Sequence, residues 1–143
     1  MLMHKDVEEI LVAEQDIIEK CKELGKQISA DYEGKKPLII GLLKGSVPFL
    51  AELINRIECP IEIDFIAVSS YSASTKSSGV VKLIKDIDVA INDKHVIIVE
   101  DIVETGHSMN YLLDYIKSRK PASISICTLF FKPDKFLYEY KGV

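Results

Sequence analysis

The stretch HVIIVEDIVETGHSMNYLLDYIKSR, residues 95–119, packs a strand, a loop and a helix into one short span. Val96, Ile97, Ile98 and Val99 form an unbroken β-branched run, which suits a strand buried on both faces in a parallel sheet. Glu100 and Asp101 follow at once. They are expected where the strand emerges at its carboxyl end, the edge at which open α/β sheets take ligands. After Ile102 and Val103 come Glu104, Thr105, Gly106, His107 and Ser108, mostly short or flexible residues whose amides can turn toward one point. Met109, Leu112, Leu113 and Ile116 then fall at i, i+3, i+4 and i+7, the apolar stripe of a helix. Lys117, Arg119 and Lys120 close its last turn before Pro121 forbids more.

A loop at a helix N-terminus offers N–H groups and the positive end of the helix dipole, a seat for a phosphate. Carboxylates repel phosphate but accept hydrogen bonds from sugar hydroxyls, so acids ahead of such a seat suggest a ribose phosphate lying across the strand end. A single Gly106 stands in this loop, which fits neither the GxxxxGK[ST] nor the GxGxxG phosphate pattern.

Working outward, the spacing of Ile17, Ile18, Cys21, Leu24 and Ile28 predicts a helix from Glu14 to about Tyr32, stopping near Gly34. LIIGLL, residues 38–43, reads as a buried strand that runs into Lys44, Gly45 and Ser46 and then a helix carrying Phe49, Leu50, Leu53 and Ile54, with Pro48 in its first turn. Lys44-Gly45 is thus a second strand-to-helix loop. Its glycine allows close approach of a ligand and its lysine adds positive charge, although a turn glycine beside a surface lysine has the same pattern. Ile61, Ile63 and Phe65 alternate with Glu62 and Asp64, which predicts a strand with one solvated side. Ser69 to Gly79, SSYSASTKSSG, lacks periodicity and is expected to be a mobile loop, either a plain linker or a lid that excludes water. Val80 to Ile84 would return as a strand. SISICTLFF, residues 123–131, gives one more buried strand, followed directly by Lys132.

Hydrophobic residues make up 48% and charged residues 28% of the 143, the balance of a single globular domain over 1–143. The apolar runs are too short to cross a bilayer. MLMHKDVEE turns acidic before an apolar signal region could form, so the cytoplasm is the default compartment. Lys and Arg total 18 against 22 Asp and Glu, which speaks against nucleic acid. Cys21, Cys59 and Cys127 are widely spaced within apolar patterns and read as buried thiols, not as a disulfide framework or zinc site.

VIIVEDIVETGHS resembles the phosphoribosyl pyrophosphate signature of the type I phosphoribosyltransferases, and its ED-I-V-E-T-G form looks most like the hypoxanthine-guanine branch. The resemblance runs from about Val7 to Lys132 through LLKGSVPF, EIDFIAVSSY, STKSSGVV and ASISICTL. It implies an α/β fold, a mostly parallel twisted sheet flanked by helices with a flexible loop over the active site. It also implies transfer of the phosphoribosyl group from phosphoribosyl pyrophosphate to hypoxanthine or guanine, with Mg²⁺. Thr105, Gly106, His107 and Ser108 would hold the 5′-phosphate. Glu100 and Asp101 would take the ribose hydroxyls directly or through metal-bound water, and Lys44-Gly45 the departing pyrophosphate. Ser70 and Tyr71 match the pair that begins the family's flexible loop, and Lys132 matches the lysine that contacts the purine's six-position oxygen.

Glu104 stands where the family usually has an aspartate that handles the proton of the purine's imidazole ring. His107 replaces a lysine or neutral residue and is expected to contribute only its amide. Members commonly pair, which implies a homodimer or homotetramer, and they continue past the segment matching FKPDKFLYEYKGV. The purine-covering segment is therefore expected to be short or missing, with Phe136, Tyr138 and Tyr140 as partial stacking substitutes. The competing reading is a non-catalytic sensor or regulator that binds phosphoribosyl pyrophosphate on the same fold.

Overall fold

The structure, a computed structural model, describes residues 11–71, 80–104, 106–132 and 134, with Ser70, Tyr71 and Val80 described by their backbone alone. In chain order these residues form α1 (Glu14–Asp31), β1 (Leu38–Leu42), α2 (Val47–Ile54), β2 (Glu62–Tyr71), β3 (Val80–Lys85), β4 (His95–Val103), α3 (His107–Lys117) and β5 (Ser123–Phe131). The sheet order is β3-β2-β1-β4-β5. The β1–β2, β1–β4 and β4–β5 pairs are parallel, and β3 is an antiparallel edge. Among the described residues no helix is long and apolar enough to cross a membrane.

The β-branched run Val96 to Val99 is at most 2% exposed because it alternates between two cores. Leu38, Ile40, Val96 and Ile98 pack with Met109, Leu112, Leu113 and Ile116 of α3 on one face. Ile39, Ile97 and Val99 pack with Cys21 and Ile28 of α1 and Phe49, Leu50 and Leu53 of α2 on the other. Each fully buried aliphatic side chain contributes about 1.5–3 kcal/mol, so these two layers fix the strands in register. The helices after β1 and β4 thereby lie on opposite faces. The chain reverses its winding between those neighbouring strands, and a crevice opens at their carboxyl ends.

Four expectations are corrected. Asp64 is not on a wet side: it is 7% exposed, whereas Ile63 is 39% exposed. Its Oδ1 accepts from the Phe65 amide at 2.7 Å and its Oδ2 from the amides of Asp88 and Val89 at 2.8 and 2.9 Å. Ser69 to Tyr71 are not loop but the end of β2, paired with Lys82, Val81 and Val80; the rest of the expected loop, residues 72–79, lies outside the described residues. Finally, β5 is an edge strand with Phe130 and Phe131 39% and 50% exposed. Cys21 and Cys127 are buried as expected, while Cys59 is only half-buried.

Candidate active site

β1 ends at Leu42, but β4 runs on to Val103. The register explains the difference: β1 pairs with β4 only through Gly41↔Val99, whereas β5 stays alongside to Val103↔Phe131. Glu100 and Asp101 therefore lie within the strand, and not just beyond it as the sequence suggested. On the side left by β1 they face the crevice. Adjacent positions of a strand point to opposite faces, and the two acids divide accordingly. Glu100 lines a hollow of about 240 Å³ with Ile102, Val103, Glu104, Gly106, His107, Ser108 and Met109. Asp101 lines a neighbouring, more apolar hollow of about 250 Å³ with Gly45, Pro48 and Phe49.

Gly106 caps α3 with φ +86°, a left-handed turn that glycine makes without steric penalty. The turn aims the start of α3 into the first hollow. Amides of a helix's first turn have no intrahelical carbonyl to pair with, and no acid stands in that turn of α3 to neutralise its dipole. Gly106, His107 and Ser108 line the same hollow as Glu100. Thr105 lies outside the described residues, as do Phe136, Tyr138 and Tyr140. Ser70 and Tyr71 fall at the end of β2, which is the β1-side neighbour on the sheet.

The loop after β1 begins with a cis peptide between Leu43 and Lys44. Leu43 donates its amide to the Ile66 carbonyl at 2.9 Å, while Lys44 and Gly45 are exposed. Ser46 is 1% exposed, caps α2 through its backbone, and has no hydrogen-bond partner for its Oγ. A Cβ on Gly45 would stand 3.4 Å from both oxygens of Asp101, so the second loop closes on the second acid.

Glu104 lines the first hollow; Lys132 Nζ donates to its Oε1 at 3.2 Å, and the Lys132 amide donates to the Val103 carbonyl at 2.9 Å. Sequence reasoning placed both residues in the site but missed their pairing. It also passed over Ile102 and Met109 as walls of the hollow. The alternation that puts Ile102 on the face of Glu100 was the available signal.

Burial, and after it the charge of Asp101, pushes the Glu100 carboxyl up to about 7. A divalent cation held at Glu100 would offset both causes, and Asp101, on the other face, would reach such an ion through its bound water. The donors are all oxygens, few in number, which fits Mg²⁺ better than a softer metal because Mg²⁺ keeps several waters and shares substrate oxygens. Among the described residues no group of three or more His, Cys, Asp or Glu is placed to hold a metal by itself, and water or substrate oxygens would complete the shell of such an ion.

An open α/β sheet with two strand-to-helix loops and two acids at its winding reversal defines a domain that takes a phosphorylated ligand across its carboxyl edge. A family model described as a phosphoribosyl transferase domain matches residues 7–143. The chain is 52% identical over 133 residues to the hypoxanthine-guanine phosphoribosyltransferase of Streptococcus pyogenes serotype M3 (strain ATCC BAA-595 / MGAS315), covering 93% of this chain and 74% of that one. It is 50% identical over 139 residues to the protein of the same name from Lactococcus lactis subsp. lactis (strain IL1403), covering 97% and 75%. A solved hypoxanthine phosphoribosyltransferase from Staphylococcus aureus matches with a TM-score of 0.92 and 43% identity over 99% of this chain and 77% of that one. The chain belongs to the phosphoribosyltransferase family.

Proposed function

We propose that the protein transfers the 5-phosphoribosyl group of phosphoribosyl pyrophosphate to hypoxanthine or guanine, a purine-salvage reaction. The observation that carries this is the hollow in which Glu100 faces the start of α3, in a chain half identical to enzymes named for that reaction. The amides of residues 105–108 hold the 5′-phosphate, and Glu100 and Asp101 take the ribose hydroxyls. Lys44 and Gly45 receive the pyrophosphate from the crevice on the Asp101 side, which separates the two anionic ends of one substrate.

A purine ring nitrogen forms the new bond to the anomeric carbon, and the bond from that carbon to the pyrophosphate oxygen breaks with its electron pair leaving on pyrophosphate. Lys44 stabilises the charge that develops there. Glu104 accepts the imidazole proton, and Lys132 donates to the six-position oxygen. Mg²⁺ bound at Glu100 and Asp101 would supply further charge neutralisation for the leaving group. Ser70 and Tyr71, at the end of β2, would meet the substrate from that side of the sheet.

The assay is incubation with phosphoribosyl pyrophosphate, Mg²⁺ and either base, with inosine or guanosine monophosphate separated chromatographically. Formation of either nucleotide together with pyrophosphate supports the assignment. Calorimetric binding of phosphoribosyl pyrophosphate without product would identify a sensor instead, and absence of both binding and product would remove the proposal.

A further inference from the structure

We propose that the Glu104–Lys132 ion pair is a latch across the base end of the hollow, parted by the incoming purine, so that each residue sets how tightly the other meets the base. This rests on the function proposed above and adds to it a contest between ligand and ion pair. The pairing is built into the sheet. The β4–β5 ladder keeps one offset from Val96↔Ile124 to Val103↔Phe131, and Glu104 and Lys132 are the next residues at the same separation of 28. The Lys132 amide still bonds the Val103 carbonyl at 2.9 Å, so the backbone holds the two side chains opposite each other before any ligand arrives.

The pair is also open to exchange. Its side chains are 45% and 44% exposed, and a half-solvated pair is weak enough to yield to a ligand. A free six-oxo purine base offers a carbonyl oxygen to the ammonium and an imidazole N–H to the carboxylate. It replaces each member's partner with one of the right sign, and neither charge is left alone.

Titration of hypoxanthine into the full chain holding Mg²⁺ and an unreactive analogue of phosphoribosyl pyrophosphate, read by calorimetry, tests this in a double-mutant cycle. Glu104→Gln keeps the length and one acceptor oxygen but removes the charge. It is expected to tighten binding by up to about fivefold, the range of an exposed ion pair, while lowering kcat. Lys132→Met is expected to weaken binding, and in that background the gain from Glu104→Gln should vanish. Lys132→Arg should restore the gain. An equal gain in both backgrounds, or weaker binding by Glu104→Gln alone, overturns the latch. Turnover is measured separately: a chain that binds the base with this coupling but makes no nucleotide refutes the enzymatic reading and leaves the latch standing. A wild type that does not bind the base overturns it.

Discussion

Gly45 lies so close to Asp101 that a methyl group on it would stand 3.4 Å from each oxygen of the carboxylate. That separation is ordinary van der Waals contact, so the site has room for the methyl but not for the methyl and a ligand together. Gly45→Ala is expected to leave thermal stability unchanged or slightly raised, because alanine restricts the unfolded chain by about 0.4–1 kcal/mol. Binding of phosphoribosyl pyrophosphate should weaken by on the order of tenfold, about 1.4 kcal/mol. Gly25 provides the contrast. Its Cβ would meet the Arg56 carbonyl oxygen at 2.5 Å, so Gly25→Ala should force α1 from α2 and destabilise by about 1–3 kcal/mol. Denaturation and calorimetry on both variants separate the two effects. A large stability loss in Gly45→Ala would show that this glycine serves the fold and not the ligand.

Glu100 makes the protein's stability depend on pH in an unusual direction. Its carboxyl, pushed up to about 7 by burial and then by Asp101, holds its proton in the folded state where the unfolded chain has lost it. The folded state binds more protons between the ordinary carboxyl value of 4.5 and about 7, so stability falls as pH rises through that window and is level above it. The full effect is on the order of 3 kcal/mol. Urea denaturation of the ligand-free protein at pH 5 and pH 8 should show the drop, and Glu100→Gln should remove it. A variant with the same slope as the wild type would place the titrating group elsewhere.

Asp64 works in the opposite sense. Burial raises its carboxyl, but the amides of Val89, Phe65 and Asp88 and the charge of Lys85 outweigh that and hold it below the usual aspartate range. Its contribution is present above the unfolded value and is lost as pH falls through the lower folded value. Because it ties β2 to the segment leading into β4, Asp64→Asn should destabilise by about 1.5–3 kcal/mol at neutral pH, as an amide group replaces one of the accepting oxygens. Chemical denaturation at pH 7 decides this, and an unchanged midpoint would mean those amides find water instead.

Glu104→Asp is expected to keep or raise turnover. The longer side chain carries its carboxylate on the order of 1 Å beyond an aspartate's, a displacement able to change a rate by about a hundredfold. Steady-state kinetics with hypoxanthine measure it. A large loss in kcat would show that the site is built around the glutamate.

The sequence made the central strand and its helix readable because both are periodic and long enough to show it: Val96 to Val99 and the Met109, Leu112, Leu113, Ile116 stripe lie in the core as their spacing requires. The seat at Gly106 to Ser108 followed from the same reading. Strand ends were less legible. Acids after Val99 looked like a terminus, yet β5 continues alongside and keeps β4 extended to Val103; pairing, a long-range property, overrode composition. At Ile63 and Asp64 the alternation identified two faces but not which was covered, since Asp64 is drawn inward by amides more than twenty residues away. The Glu104–Lys132 contact needed only the β4–β5 register, but register is set by neighbours that no single stretch contains.

The overhang of β4 past β1 makes the crevice intolerant of a frameshift in the ladder. One residue inserted between Val99 and Glu100 would exchange the sides of the two acids, swinging Glu100 toward Gly45 and Asp101 under the left-handed turn at Gly106. Every side chain would survive such a change, and the cradle would lose its handedness.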